Sequence, residues 1–200
     1  MRYSILALLF LCILSTACTQ QDADPQDAEA YYNRGDSWMA KGEYDKAIAD
    51  YNEAIRLDPK SALAYNNRGL AWNNKGEYDK AIADYTEAIR IDPKDATAYS
   101  NRGLAWNNKG EYDKAIADYN EAIRIDPKSA LAYNNRGFAW NNKEEYDKAI
   151  ADYTEAIRID PKYAHAYYGR AAAWNAKGDK DKEMADYNEA IRLDPTLQKK

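Results

Sequence analysis

The chain has 200 residues, 30% of them charged and 46% of hydrophobic type, which is too apolar for a disordered chain and ordinary for a folded one. Its formal net charge is −5, with lysines and arginines standing singly among aspartates and glutamates, so nothing resembles the basic stripe that a nucleic-acid backbone requires. Eighteen Tyr and five Trp against two Phe mean that the interior has to accommodate hydroxyl and indole groups.

The first segment differs in kind from the rest. After Met1 and Arg2 comes ILALLFLCIL, Ile5 to Leu14, long enough for a signal-peptide core and well short of the roughly 20 residues that span a bilayer. It ends in LSTAC, where Ser15, Thr16 and Ala17 before Cys18 resemble the lipobox of bacterial lipoproteins, although that motif usually has Leu where Ser15 stands. The resemblance implies a signal peptide over residues 1–17, a lipid on Cys18, and a protein facing the periplasm or the cell surface. Thr19 resembles an outer-membrane sorting residue where two membranes exist. Ordinary secretory cleavage is the alternative. Cys12 lies in the removed segment and no cysteine follows Cys18, so the exported domain has no disulfide framework. Residues 18–27 hold the lipidated cysteine and a polar stretch, TQQDADPQD, that reads as a tether.

From Ala28 the sequence divides into blocks of 34 residues, over 28–61, 62–95, 96–129, 130–163 and 164–197, with the folded domain taken as 28–195 and a polar tail over 196–200. The stretch NRGLAWNNKGEYDKAIADY occurs unchanged at Asn67 to Tyr85 and at Asn101 to Tyr119, and the second and fourth blocks differ only at Leu70/Phe138, Gly76/Glu144 and Asp95/Tyr163. Within the second block Tyr65, Gly69 and Trp72 recur at helical spacing. Gly76 interrupts them, and Tyr78, Ala81, Ile82, Tyr85, Ala88 and Ile89 continue on one face. Each block is therefore a helix hairpin. Pro59, Pro93, Pro127 and Pro161 push the preceding Asp out of the α region and end each second helix, while Ser61, Asp95 and Ser129 are placed to cap the next. Tyr163 cannot cap, so the fifth block begins less firmly.

The columns Tyr65, Gly69, Trp72, Tyr78, Ala81, Tyr85, Ala88 and Pro93, with their equivalents, resemble the tetratricopeptide repeat over Ala28 to about Pro195. The resemblance implies an all-α, right-handed α-solenoid of five stacked helix-turn-helix repeats. Gly69 and Ala81 are small where helices approach, and Trp72 and Tyr85 fill space toward neighbours. A well-buried Trp72 cut back to alanine costs about 3–5 kcal/mol. One hairpin cannot cover its own apolar face, so stability comes from stacking.

Two features depart from the family pattern. Arg34, Arg68, Arg102, Arg136 and Arg170 precede the small-residue column where the family more often has Leu, and Asp50, Asp84, Asp118, Asp152 and Asp186 recur in the second helix. Either each Arg pairs with the Asp of its hairpin, as a half-buried guanidinium requires, or both are solvated. In the fifth block Lys180, Glu183 and Ala171 replace the Tyr, Ala and Gly columns, and the last helix becomes a polar cap.

Chemistry by the chain itself has little to stand on. His165, the single histidine, sits in the column of Leu63 and Leu131; there is no Gly-rich phosphate loop, and the carboxylates are repeated rather than uniquely paired. No catalytic residue, metal or cofactor is expected. Binding has more support, because in the family the first helices line the inside of the curve and take an extended peptide or a helix. Asn33, Asn67, Asn101 and Asn135 form one column that resembles the asparagine ladders of some tetratricopeptide proteins, where an amide meets peptide main chain with a donor and an acceptor together. Asn73, Asn107 and Asn141, each followed by a second Asn, extend the strip, and Leu70, Leu104 and Phe138 share its face. These asparagines are peptide-binding, or they only keep the surface soluble; the three apolar residues either touch the ligand or pack against the adjacent hairpin. The clamp that grips chaperone C-termini lacks its basic residues here, in the columns of Asn66 and Leu70. The function implied is an envelope-anchored adaptor that binds an extended peptide or a protein in its concave groove, the alternative being a module that associates with itself through the ends of the solenoid.

Overall fold

The computed structural model describes residues 27–198; the expectations for the signal segment, Cys18 and most of the tether lie outside them. Ten α-helices follow one another: α1 (Ala28–Ala40), α2 (Tyr44–Leu57), α3 (Ala62–Asn74), α4 (Tyr78–Ile91), α5 (Ala96–Asn108), α6 (Tyr112–Ile125), α7 (Ala130–Asn142), α8 (Tyr146–Ile159), α9 (Ala164–Lys177) and α10 (Lys180–Leu193), closed by a 3-10 turn at Pro195–Leu197. Odd-numbered helices pack against the next even-numbered one to make five hairpins, and each second helix packs against the first helix of the following hairpin. Successive first helices also touch one another, whereas successive second helices make no comparable approach. The row whose members lie closest is the inside of a bend, so the first helices form the inner wall of an α-solenoid.

Local chemistry sets the helix ends. Asp27, Ser61, Asp95 and Ser129 accept from Ala30, Ala64, Thr97 and Ala132 backbone N–H groups, and Tyr163 offers no such bond to α9. Between the helices of the first hairpin, the Glu43 N–H donates to Trp38 O and the Gly42 N–H to Met39 O, the paired bonds of a Schellman motif. That motif needs a left-handed residue, and Gly42, Gly76, Gly110 and Gly178 supply it at φ from +73° to +80°. In the fourth hairpin Glu144 holds the same place at φ 62°, a conformation costing an L-residue about 1–2 kcal/mol.

The core is a series of identical joints. Tyr51, Tyr85, Tyr119 and Tyr153 are fully buried or nearly so, each lying on the glycine of its own hairpin and covered by an alanine of the next: Ala71, Ala105, Ala139 and Ala173. A Cβ added to Gly69 would stand 2.8 Å from the Tyr85 ring, so the glycine column is there for the tyrosine. Trp72 differs from its expected place: it is only half-buried, with Lys75 and Lys80 Nζ 5.5 and 4.4 Å from its ring centroid. The large truncation cost belongs to the tyrosine. Fully burying one tyrosine, about 150–250 Å² at about 25 cal/mol/Å², stabilises a joint by about 4–6 kcal/mol at most.

All five Arg–Asp pairs form. In the third hairpin Arg102 donates through Nε and Nη2 to Asp118 Oδ2 and Oδ1 at 2.8 and 2.7 Å, and the other four repeat this fork. The remaining guanidinium nitrogen reaches back to the preceding hairpin, to Asn52, Thr86, Asn120 or Thr154. One side chain thus ties together its own hairpin and the one before. A second tie, from Lys75, Lys109, Lys143 and Lys177 to Asp45, Asp79, Asp113 and Asp147, crosses the same joints at the surface.

Candidate binding wall

The asparagine column lies on the inner-wall helices, and the joints use part of it. Asn67 Nδ2 donates to Tyr32 Oη at 2.8 Å and to Asp36 Oδ1 at 2.9 Å, and Asn101 Nδ2 donates to the buried Asn66 Oδ1 at 3.1 Å. In each case the amide reaches back across a joint. Asn101 keeps its oxygen and its second N–H for other partners. Asn135 accepts from Asn134 Nδ2 at 3.3 Å, and Asn33 is exposed. The members that do not donate across a joint line hollows instead: Asn33 one of about 370 Å³ with Tyr32, Ser61 and Leu63, and Asn135 one of about 280 Å³ between α7 and α9.

The second set serves the fold more than a ligand. Asn108 Nδ2 donates to Asn73 Oδ1 at 3.5 Å and Asn142 Nδ2 to Asn107 Oδ1 at 3.3 Å, and Asn107 is buried. Within the expected polar strip, Asn73 and Asn107 thus each accept one bond from the following hairpin. At the last joint the tie is missing: Ala176 stands thirty-five residues after Asn141, where the second and third joints have the donating asparagine. Among the described residues, Asn141 Oδ1 is the one buried side-chain nitrogen or oxygen without a hydrogen-bond partner.

Leu70 and Leu104 are half-buried, and Phe138 is 48% exposed. In the first hairpin this column carries Asp36, which accepts from Tyr51 Oη at 2.6 Å. Burial pushes the Tyr51 hydroxyl far above the usual tyrosine range, and Asp36 adds to the shift. Desolvation, again followed by Asp36, also raises Tyr32. The wall therefore runs from a carboxylate at its N-terminal end, through Leu70 and Leu104, to Phe138 and the hollow beyond it.

Residues that the sequence pattern did not assign to binding complete that hollow: Asn134, Tyr153, His165, Tyr168, Gly169 and Ala172. Two of them break their columns, Gly169 where the others have Asn and Ala172 where they have Asp, Leu or Phe. Those two losses of side chain were the available signal. Among the described residues no cluster of three His, Cys, Asp or Glu could hold a metal ion, and no helix is long and apolar enough to cross a membrane.

An all-helical stack of hairpins with one wall of first helices defines a repeat scaffold. The chain belongs to the tetratricopeptide repeat family: the family's models match as "TPR repeat" over residues 35–72 and as "Tetratricopeptide repeat" over 74–130, 130–163 and 164–197. No curated protein matches its sequence significantly. Among solved structures it is similar to a crystal structure of MamA, 28% identical with a TM-score of 0.71 over 81% of this chain and 95% of that one. MamA 41-end from Desulfovibrio magneticus RS-1 is 19% identical, with a TM-score of 0.75 over 88% and 99%. YrrB, described as a TPR protein with an unusual peptide-binding site, is 22% identical with a TM-score of 0.66 over 86% and 88%, and shares the fold.

Proposed function

We propose that this protein is a binding adaptor whose inner wall takes an extended peptide or a segment of a partner protein, and that it recruits that partner to a bacterial envelope membrane without a reaction of its own. The observation that carries this reading is the wall: half-exposed apolar residues at Leu70, Leu104 and Phe138 alternate along one face with amides whose remaining groups, on Asn33, Asn101 and Asn135, suit peptide main chain. The peptide-binding site named for YrrB is consistent with such use of the fold. The LSTAC segment supports a lipid anchor at Cys18, with two or more acyl chains giving stable attachment where one gives only marginal binding.

A photocrosslinking amino acid at Leu104, compared with one at the exposed Ala117 on the second helix, tests the wall in intact cells. Crosslinks to another protein from position 104 and not from 117 support the adaptor. Crosslinks from neither, or equally from both, refute it, and crosslinks only to further copies of this chain favour the self-associating module. Labelled palmitate incorporated by the full-length chain and lost in Cys18→Ala tests the anchor; a labelled Cys18→Ala chain refutes it.

A further inference from the structure

We infer that the hollow between α7 and α9 is a pocket for one aromatic side chain bearing an N–H or O–H donor, tryptophan above all, on the peptide that the wall binds. The inference rests on the peptide-binding reading above and assigns that reading its anchor. At earlier joints the column residues Asn67 and Leu70, or Asn101 and Leu104, occupy the following hairpin's part of the wall; at the last joint Gly169 and Ala172 stand in their places and leave about 280 Å³. That is below the roughly 300–1,000 Å³ of small-molecule sites and suits a single side chain. Its lining is aromatic and small, with Phe138, Tyr153 and Tyr168 around Ala172 and Gly169, surfaces that an aromatic ring packs against in tilted or offset geometry. Tyr153 cannot be displaced cheaply by enlarging Gly169, because a Cβ there would stand 2.6 Å from its ring.

Chemistry at the pocket wall narrows the occupant. Asn141 is among the lining residues, and its Oδ1 is buried without a partner where Ala176 replaces the asparagine that makes this bond at the second and third joints. A buried acceptor left unmade is costly, so a ligand that brings a donor removes a penalty the free protein carries. An indole supplies the ring and the N–H together, whereas phenylalanine supplies only the ring. No lysine, arginine, aspartate or glutamate is among the residues around the hollow.

The test uses the folded repeat domain displayed against a phage library of random twelve-residue peptides, with wild type, Ala172→Leu and Ala176→Asn compared. Ala172→Leu restores the residue of the second and third hairpins and fills the hollow; Ala176→Asn supplies Asn141 with an internal donor. Wild type is expected to enrich Trp-containing peptides that lose about tenfold or more in affinity on Ala172→Leu, and on Ala176→Asn to lose most of their advantage over the Trp-to-Phe peptide, a step of about two- to tenfold. Enriched peptides without a Trp or Tyr excess, or indifferent to Ala172→Leu, overturn the pocket while leaving the wall in place. No enrichment at all overturns both. Should Ala172→Leu fail to fold by circular dichroism, Phe138→Leu, also the residue of neighbouring hairpins, removes the aromatic wall, and the same loss of the Trp peptide is expected.

Discussion

Raising the pH should unfold this protein abruptly, and the four buried tyrosines set how steeply. Burial, reinforced by the neighbouring aspartates, pushes the hydroxyls of Tyr51, Tyr85, Tyr119 and Tyr153 well above their ordinary value of 10.0. In the unfolded chain they ionise near pH 10; in the folded chain they remain protonated. Above pH 10 the folded state therefore binds more protons than the unfolded one, and stability falls as pH rises, by about 1.4 kcal/mol per pH unit for each such tyrosine. Four together give about 5 kcal/mol per unit. Against a typical stability of about 5–15 kcal/mol, unfolding falls within about one to three units above pH 10. Far-ultraviolet circular dichroism should lose helix in step with a late rise in tyrosinate absorbance from the four buried rings. Tyr119→Phe should reduce the pH slope by about a quarter while keeping the ring in place. Complete tyrosine titration near pH 10 with the helix intact would refute the reasoning, as would an unchanged slope in Tyr119→Phe.

Other changes separate the remaining forces. Glu144→Gly relieves a left-handed residue and should raise stability by about 1 kcal/mol, or about 2–4 °C in melting temperature, and Gly110→Glu should reverse the sign; no atom lies within 4 Å of a Cβ added to Gly110, so backbone conformation alone is at issue. Asp118→Ala strands the Arg102 guanidinium and should cost about 2–4 kcal/mol in chemical denaturation, and Arg102→Leu combined with it should cost less than the sum of the two. Asn101→Ala leaves the buried Asn66 oxygen without its donor and should cost about 1 kcal/mol, a loss to be measured before any binding defect of that variant is interpreted.

Period, punctuation and column chemistry made much of this molecule legible before any coordinates. Helix starts follow from capping residues and ends from Asp-Pro, both local in sequence, while the Arg–Asp columns were legible as a pairing or a solvated set and the structure settles them as forks within each hairpin. The candidate wall was legible as a set of columns and not as a set of available groups. Whether Asn67 and Asn107 face a ligand or close a joint depends on where a residue thirty-five positions away arrives, and that separation is fixed only when hairpins stack.

The sequence by itself determined five similar hairpins and the glycine, alanine and tyrosine that let them nest, because these depend on size and backbone preference within a few turns. Tertiary structure decided that Trp72 stays half-covered, that most of the amides are already engaged, and that the losses at Gly169 and Ala172 converge on one hollow. The reason is physical: the same residue type is equivalent in every block of text, but each joint in space is completed by side chains from two blocks, so a change in one alters what its neighbour is left to offer.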